Sequence, residues 1–151
     1  MKLKTVVFFA TILMLIPVVH SETPGKSIYH ANAEFEKSIG YARAVKVGNV
    51  LYVSGSVGWG EMPEAIDIAY TRIADTLKAH NMGFEHVVKE TVYTTKIESL
   101  KAAKEHRKKY YTAGYPASTW VQVERLFNPD IVIEVEVVAY SPDMKYNGKG
   151  M

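Results

Sequence analysis

An α+β domain, with two helices laid on one face of a single β-sheet, is the fold predicted by three features of this sequence. Short β-type runs recur at 41–47, 50–54, 87–95, 119–126 and 131–140. Helical apolar spacing fills two of the gaps between them, and Gly, Pro, Asn or Asp punctuates the ends. The order is ββαβαββ. At 151 residues the chain has room for one domain.

The first element precedes that domain. Lys2 and Lys4 introduce an uncharged apolar run of 15 residues, Thr5 to Val19, and Val19-His20-Ser21 closes it with small or moderate side chains. A charged start, short apolar middle and small exit form a secretory signal. The run falls short of the ~20 residues of a membrane-crossing helix, so 1–21 is read as a signal peptide. The protein is then expected to be exported, periplasmic or secreted, with membrane attachment only if the signal stays uncleaved. Residues 22–38 mix Pro, Gly, Ser, Asn and charge, and read as a leader with little structure of its own.

The domain proper is expected over 39–140. Tyr41–Val47 and Val50–Ser54 flank Gly48-Asn49, a two-residue hairpin signal. Ser54–Gly60 reads as a glycine-rich loop. Ala65, Ala69, Ile73 and Leu77, with Ile66 and Tyr70 beside them, outline the first helix, and Gly83 is its expected stop. Val87–Thr95 is the third strand. Ser99 is the expected N-cap of a second helix that puts Leu100, Ala103, Arg107, Tyr110 and Tyr111 on one side, ended by Gly114-Tyr115-Pro116. Thr119–Leu126 and Ile131–Tyr140 close the sheet around the Asn128-Pro129-Asp130 turn. Residues 141–151 form a polar tail.

Composition excludes several chemistries. The 18 Lys+Arg and 16 Asp+Glu give +2, and loss of Lys2 and Lys4 with the signal leaves 16 of each. Phosphate-backbone binding needs concentrated positive charge, so nucleic acid is not an expected partner. With no cysteine there is no disulfide, thiolate nucleophile or Cys-ligated zinc. His30, His80, His86 and His106 share no metal-ligand spacing, and neither metal nor cofactor is assigned. Lys101, Lys104 and Lys108 make a solvent stripe on a helix rather than a binding patch.

The last strand is more informative. Strict alternation puts Val132, Glu134, Glu136 and Val138 on one face. Either that face is half-exposed and its glutamates are solvated, or Glu134 borders a ligand cavity at a subunit boundary. On the preceding strand Ser118, Trp120, Gln122 and Glu124 share a face, and Tyr41 and Arg43 share a face of the first.

These segments resemble the RidA/YjgF family of enamine/imine deaminases over residues 39–140. The matching pieces are Gly40–Asn49, Leu51–Gly55, Val87–Tyr93, Tyr115-Pro116-Ala117, Val121–Leu126 and Ile133–Glu136. Each is weak alone; their order and spacing carry the resemblance. It implies a ferredoxin-like, chorismate-mutase-like subunit assembled as a homotrimer, with small-molecule pockets at the subunit interfaces. It also implies a catalytic Glu134, which orients water for attack on an imine carbon, and Tyr41 as a pocket residue. The active branch continues a proline and a small residue with an arginine that clamps the substrate carboxylate. Here Pro116 and Ala117 are followed by Ser118, and Trp120 stands where a smaller pocket residue is usual.

Serine offers neither the guanidinium fork nor its fixed charge. Losing such a contact costs about 2–5 kcal/mol, roughly one and a half to almost four orders of magnitude in rate. The expected function is therefore a small-molecule-binding RidA/YjgF-type protein for a carbonyl, imine or acid, with hydrolysis weak or altered. The second reading is a working imine deaminase using Glu134 and Tyr41, with Arg43 as the clamp. Arg43 would otherwise be an ordinary ion-pair partner, for example of Glu134 or Glu136. A nucleic-acid or protein-interaction module, the latter anchored by Trp59 and Trp120, ranks below both.

Overall fold

A computed structural model describes residues 25–142; the signal-peptide reading and most of the tail lie outside them. Six strands, β1 (Lys26–Tyr29), β2 (Ala44–Val47), β3 (Val50–Trp59), β4 (Val87–Thr94), β5 (Ala117–Gln122) and β6 (Ile131–Tyr140), form one mixed sheet in the order β1-β2-β3-β6-β4-β5. The α+β class expected from the sequence holds, with α2 (Met62–Ala79), α3 (Ile97–Ala102) and α4 (Lys104–Lys108) on one face.

The segment expected to be an unstructured leader is instead part of the sheet. β1 (Lys26–Tyr29) pairs antiparallel with β2 (Ala44–Val47), Lys26 opposite Val47 and Tyr29 opposite Ala44. Between them α1 (Ala33–Ser38) starts at Asn32, whose side chain accepts a hydrogen bond from the Phe35 amide at 3.2 Å. Four mostly exposed residues at a sheet edge have no apolar alternation to announce them, which is why pattern reading passes over β1. The first expected strand also starts late: Tyr41 and Arg43 lie in the connection before Ala44.

Gly48, at φ 56°, turns β2 into β3 (Val50–Trp59). The expected glycine-rich loop is the second half of this strand, and its glycines answer to close approach. A Cβ on Gly58 would lie 2.0 Å from the Ala65 carbonyl oxygen, so α2 packs its backbone directly on β3. A Cβ on Gly55 would lie 1.9 Å from a Glu134 carboxylate oxygen. The register with β6 shifts between Val53 and Ser56, a bulge in the same stretch.

α2 (Met62–Ala79) begins with Pro63 in its first turn and buries Ala65, Ile66, Ala69, Tyr70, Ile73 and Leu77, the stripe read from the sequence. It stops before the expected Gly83: His80 is the C-cap and Asn81 takes the left-handed conformation at φ 54°. A 3₁₀ turn, Phe84–His86, leads into β4 (Val87–Thr94). The second expected helix is two short ones, α3 (Ile97–Ala102) and α4 (Lys104–Lys108), and Lys96 rather than Ser99 precedes the first. β5 (Ala117–Gln122) runs parallel to β4 and ends before Leu126. β6 (Ile131–Tyr140) lies between β3 and β4, antiparallel to both.

Alternation on β6 sorts the two faces of the sheet. Ile133, Val135, Val137 and Ala139 are buried beneath the helices with Leu51, Val53, Val92 and Leu100. Burial of each large aliphatic side chain contributes about 1.5–3 kcal/mol, so this layer holds the sheet to α2. Glu134 and Glu136 point to the face opposite α2, α3 and α4, where Tyr52 and Val121 remain exposed among the described residues.

Candidate functional site

β2 covers β3 only from Val50 to Val53. The uncovered edge of β3 beyond Val53 opens a cleft of about 740 Å³, lined by α1 and its flanks, Tyr41, Arg43, Gly55, Val57, Arg72, the Phe127–Asn128 turn and Glu134. Three residues singled out from the sequence, Tyr41, Arg43 and Glu134, therefore meet in one place. The Tyr41 hydroxyl donates to the Gly55 carbonyl at 3.2 Å, and the Glu134 carboxylate lies against the hydrogen-only side of the same glycine. Burial, and then the neighbouring Glu136, pushes the Glu134 carboxyl above the ordinary glutamate range. Burial likewise raises the Tyr41 phenol, against the opposing pull of Arg43. A half-buried carboxylate with a raised pKa beside a neutral phenol can hold and activate a water molecule.

Arg43 has a partner other than those weighed from the sequence. Its Nε is 3.7 Å from a carboxylate oxygen of Glu36, and its Nη1 reaches the Ser56 hydroxyl at 3.4 Å. Glu36 is 2% exposed. It also lies 3.1 Å from the His30 ring nitrogen and accepts the Asn32 amide at 3.3 Å. Tyr41 and Arg43 stay together through the connection itself, with the Arg43 guanidinium 5.7 Å from the Tyr41 ring centre.

Ser118 and Trp120 are elsewhere. Ser118 is the register partner of Glu90, and Trp120 of Val92, which puts both on the helix-side face, opposite to Glu134. Glu90 is fully buried and accepts four hydrogen bonds: from Tyr70 at 2.8 Å, Tyr111 at 2.5 Å, Arg107 at 2.9 Å and Ser118 at 2.8 Å. The Trp120 indole donates to the Ser118 hydroxyl at 2.9 Å, and the Arg107 guanidinium stands 5.5 Å from the Trp120 ring centre. Burial, reinforced by the Glu90 charge, drives the Tyr70 and Tyr111 phenols upward, so both remain donors at any physiological pH. Ser118, itself exposed, thus caps the buried Glu90 network from its outer side within this protomer.

Four charged residues escaped the sequence reading as members of sites. Glu90 and Arg107 were legible in principle. Glu90 sits on the inward face of a strand beside Val92, and Arg107 falls on the same side as Leu100 of the single helix expected there. Glu36 and Arg72 carried no such signal, because only the wrap of α1 and α2 around the β3 edge brings them to the cleft.

Sequence comparison bears on what such a cleft does. The endoribonuclease L-PSP family profile matches residues 31–141, most of the described chain. The chain belongs to the RidA/YjgF family. Its RidA/YjgF relatives include a goat 2-iminobutanoate/2-iminopropanoate deaminase, 32% identical over 108 residues, covering 66% of this chain and 78% of that protein. A RutC family protein of Pyrococcus abyssi is 31% identical over 114 residues, 69% of this chain and 89% of its own length. Among solved structures, a Mycobacterium tuberculosis member of the YjgF/YER057c/UK114 family superposes with a TM-score of 0.71 at 27% identity, covering 78% of this chain and 100% of that one. The match from residue 31 takes in α1, so the Glu36–Arg43 pair lies within the RidA/YjgF homology.

Proposed function

We propose that this RidA/YjgF protein is an exported homotrimer whose Tyr41–Glu134 cleft takes a small carbonyl, imine or acid, with imine hydrolysis weakened or altered. The carrying observation is the Glu134 carboxylate, half-buried against Gly55 in a cleft shared with Tyr41 and two arginines. In that reaction Glu134 accepts a proton from water as the oxygen adds to the imine carbon. Glu134 returns that proton to the imine nitrogen, giving a carbinolamine; transfer of the carbinolamine hydroxyl proton to the nitrogen as the C–N bond breaks then releases ammonia and leaves the carbonyl product. The goat relative's named activity supports this reaction class.

The commitment of Ser118 to Glu90 supports the weakened activity, because nothing at that position carries charge to a substrate. The sheet face opposite α2, α3 and α4, with Tyr52 and Val121 exposed, is a natural surface for association with further copies. Lys2, Lys4 and the apolar run to Val19 support export. The equal numbers of acidic and basic residues after removal of the signal argue against a nucleic-acid substrate.

Freshly generated 2-iminopropionate tests the reading. Slow turnover by the mature protein, reduced about 10²–10⁴-fold in Glu134→Gln, is the expected result. Equal rates in the two proteins would remove Glu134 from the chemistry. A fully active deaminase clamped by Arg43 is the second reading, favoured by the place of Arg43 on the cleft wall. Rapid wild-type turnover lost in Arg43→Gln would establish it.

A further inference from the structure

We propose that Arg72, reaching from α2 around the uncovered edge of β3, is the residue of this protein that holds the carboxylate of the cleft's small-molecule ligand. The inference rests on the small-molecule reading of the cleft given above. Two arginines line that cleft, and they differ in what already surrounds them. Arg43 faces the buried Glu36 at 3.7 Å, so much of its charge is compensated before any ligand arrives. Arg72 has no carboxylate within ion-pair distance among the described residues. Among the described residues its guanidinium makes one hydrogen bond, a long one from Nη1 to the Val57 carbonyl at 3.4 Å. Its guanidinium lies 4.8 Å from the centre of the Trp59 ring, which orients a cation without cancelling its charge. The remaining N–H donors suit the two oxygens of a carboxylate.

Strand geometry sets this cation near the proposed chemistry. Val57, which Arg72 touches, is the register partner of Glu134, and Gly55, on which Glu134 rests, is two residues back. Paired strands lie about 4.8 Å apart. Arg72 and Glu134 therefore flank one short stretch of β3, as a carboxylate and an adjacent reacting carbon require. Glu36 and Glu134 add negative charge to the same cleft, which opposes a dianionic phosphate more than a single carboxylate. Phe35, Ile39 and Phe127, exposed at 58%, 54% and 80%, supply an apolar wall for the remainder of the ligand.

The test compares 2-oxobutanoate, a stable keto counterpart of a 2-imino acid, with its uncharged amide. Both are titrated into the mature protein and followed by the backbone amide signals of Gly55 and Val57. Wild type is expected to bind the acid about tenfold or more tightly than the amide, a difference of about 1.4 kcal/mol. Arg72→Gln should bind the two alike, and Arg72→Lys should recover part of the preference. Retention of the acid preference in Arg72→Gln overturns the role of Arg72 and leaves the cleft reading intact. Failure of wild type to bind either probe overturns both together. Equal wild-type affinity for acid and amide overturns the anionic ligand while keeping a small-molecule site.

Discussion

At the scale of single residues, the two carboxylates that matter most are held in opposite ways. Glu90 is fully enclosed and saturated by four donors, one of them a guanidinium. Removing the cation leaves a buried charge without its counter-ion, which costs about 3–5 kcal/mol. Arg107→Met should lower unfolding free energy by about that much in urea titration. Tyr111→Phe, which removes one hydrogen bond to a charged group, should cost less, about 1.5–3 kcal/mol. Glu134 is half-buried, and burial, followed by the like charge of Glu136, raises its folded-state pKa. A raised carboxyl pKa means that the folded state binds the proton more tightly than the unfolded chain. Its effect on stability is therefore most favourable at low pH and is lost as pH rises through the folded pKa. Glu134→Gln should accordingly raise the melting temperature at pH 7, and the gain should shrink toward pH 4. A gain that does not change with pH would contradict this account. In the wild type, the deprotonated base required for hydrolysis appears only above the ordinary glutamate range, so the acidic limb of the rate profile should lie above about pH 4.3.

At the scale of elements, β3 decides where a site can exist. Its two inner glycines serve different neighbours, and substitution should separate them. At Gly58 a methyl group meets the α2 backbone at Ala65, which cannot move without shifting the helix. Gly58→Ala should destabilise by about 1–3 kcal/mol, as overpacked positions do. At Gly55 the methyl group meets the end of the Glu134 side chain, which can rotate away. Gly55→Ala should leave the melting temperature nearly unchanged while displacing the carboxylate, with a loss of turnover comparable to that in Glu134→Gln. The chain marked both positions as a glycine-rich stretch, which by composition alone reads as a loop. Only the pairing of β3 with β6 and the seat of α2 show that these glycines allow contact rather than a turn.

At the scale of the whole molecule, α2, α3 and α4 close one sheet face, and among the described residues the other carries exposed side chains. Tyr52 and Val121 on that second face are 51% and 39% exposed. A trimer would cover such residues, and sedimentation equilibrium of the mature protein should return three times the chain mass. Tyr52→Lys should shift that equilibrium toward the monomer; a wild-type monomer would refute the assembly. Intact mass of the protein recovered from its native compartment should show loss of the first 21 residues if the signal is cleaved.

The sequence by itself determined the α+β class, the α2 stripe and the β6 alternation, because these depend on side-chain period and local turn chemistry; the choice of Glu134 came from the family resemblance. It also identified Tyr41 and Arg43 as neighbours, since two residues of separation keep them together even outside a strand. Tertiary structure alone decided that β1 and α1 belong to the sheet and its cleft. It placed Ser118 and Trp120 across the sheet from Glu134, and it brought Glu36 and Arg72 to the site. Those facts depend on strand order and on which edge is left uncovered, quantities set by contacts between distant segments that no local period encodes.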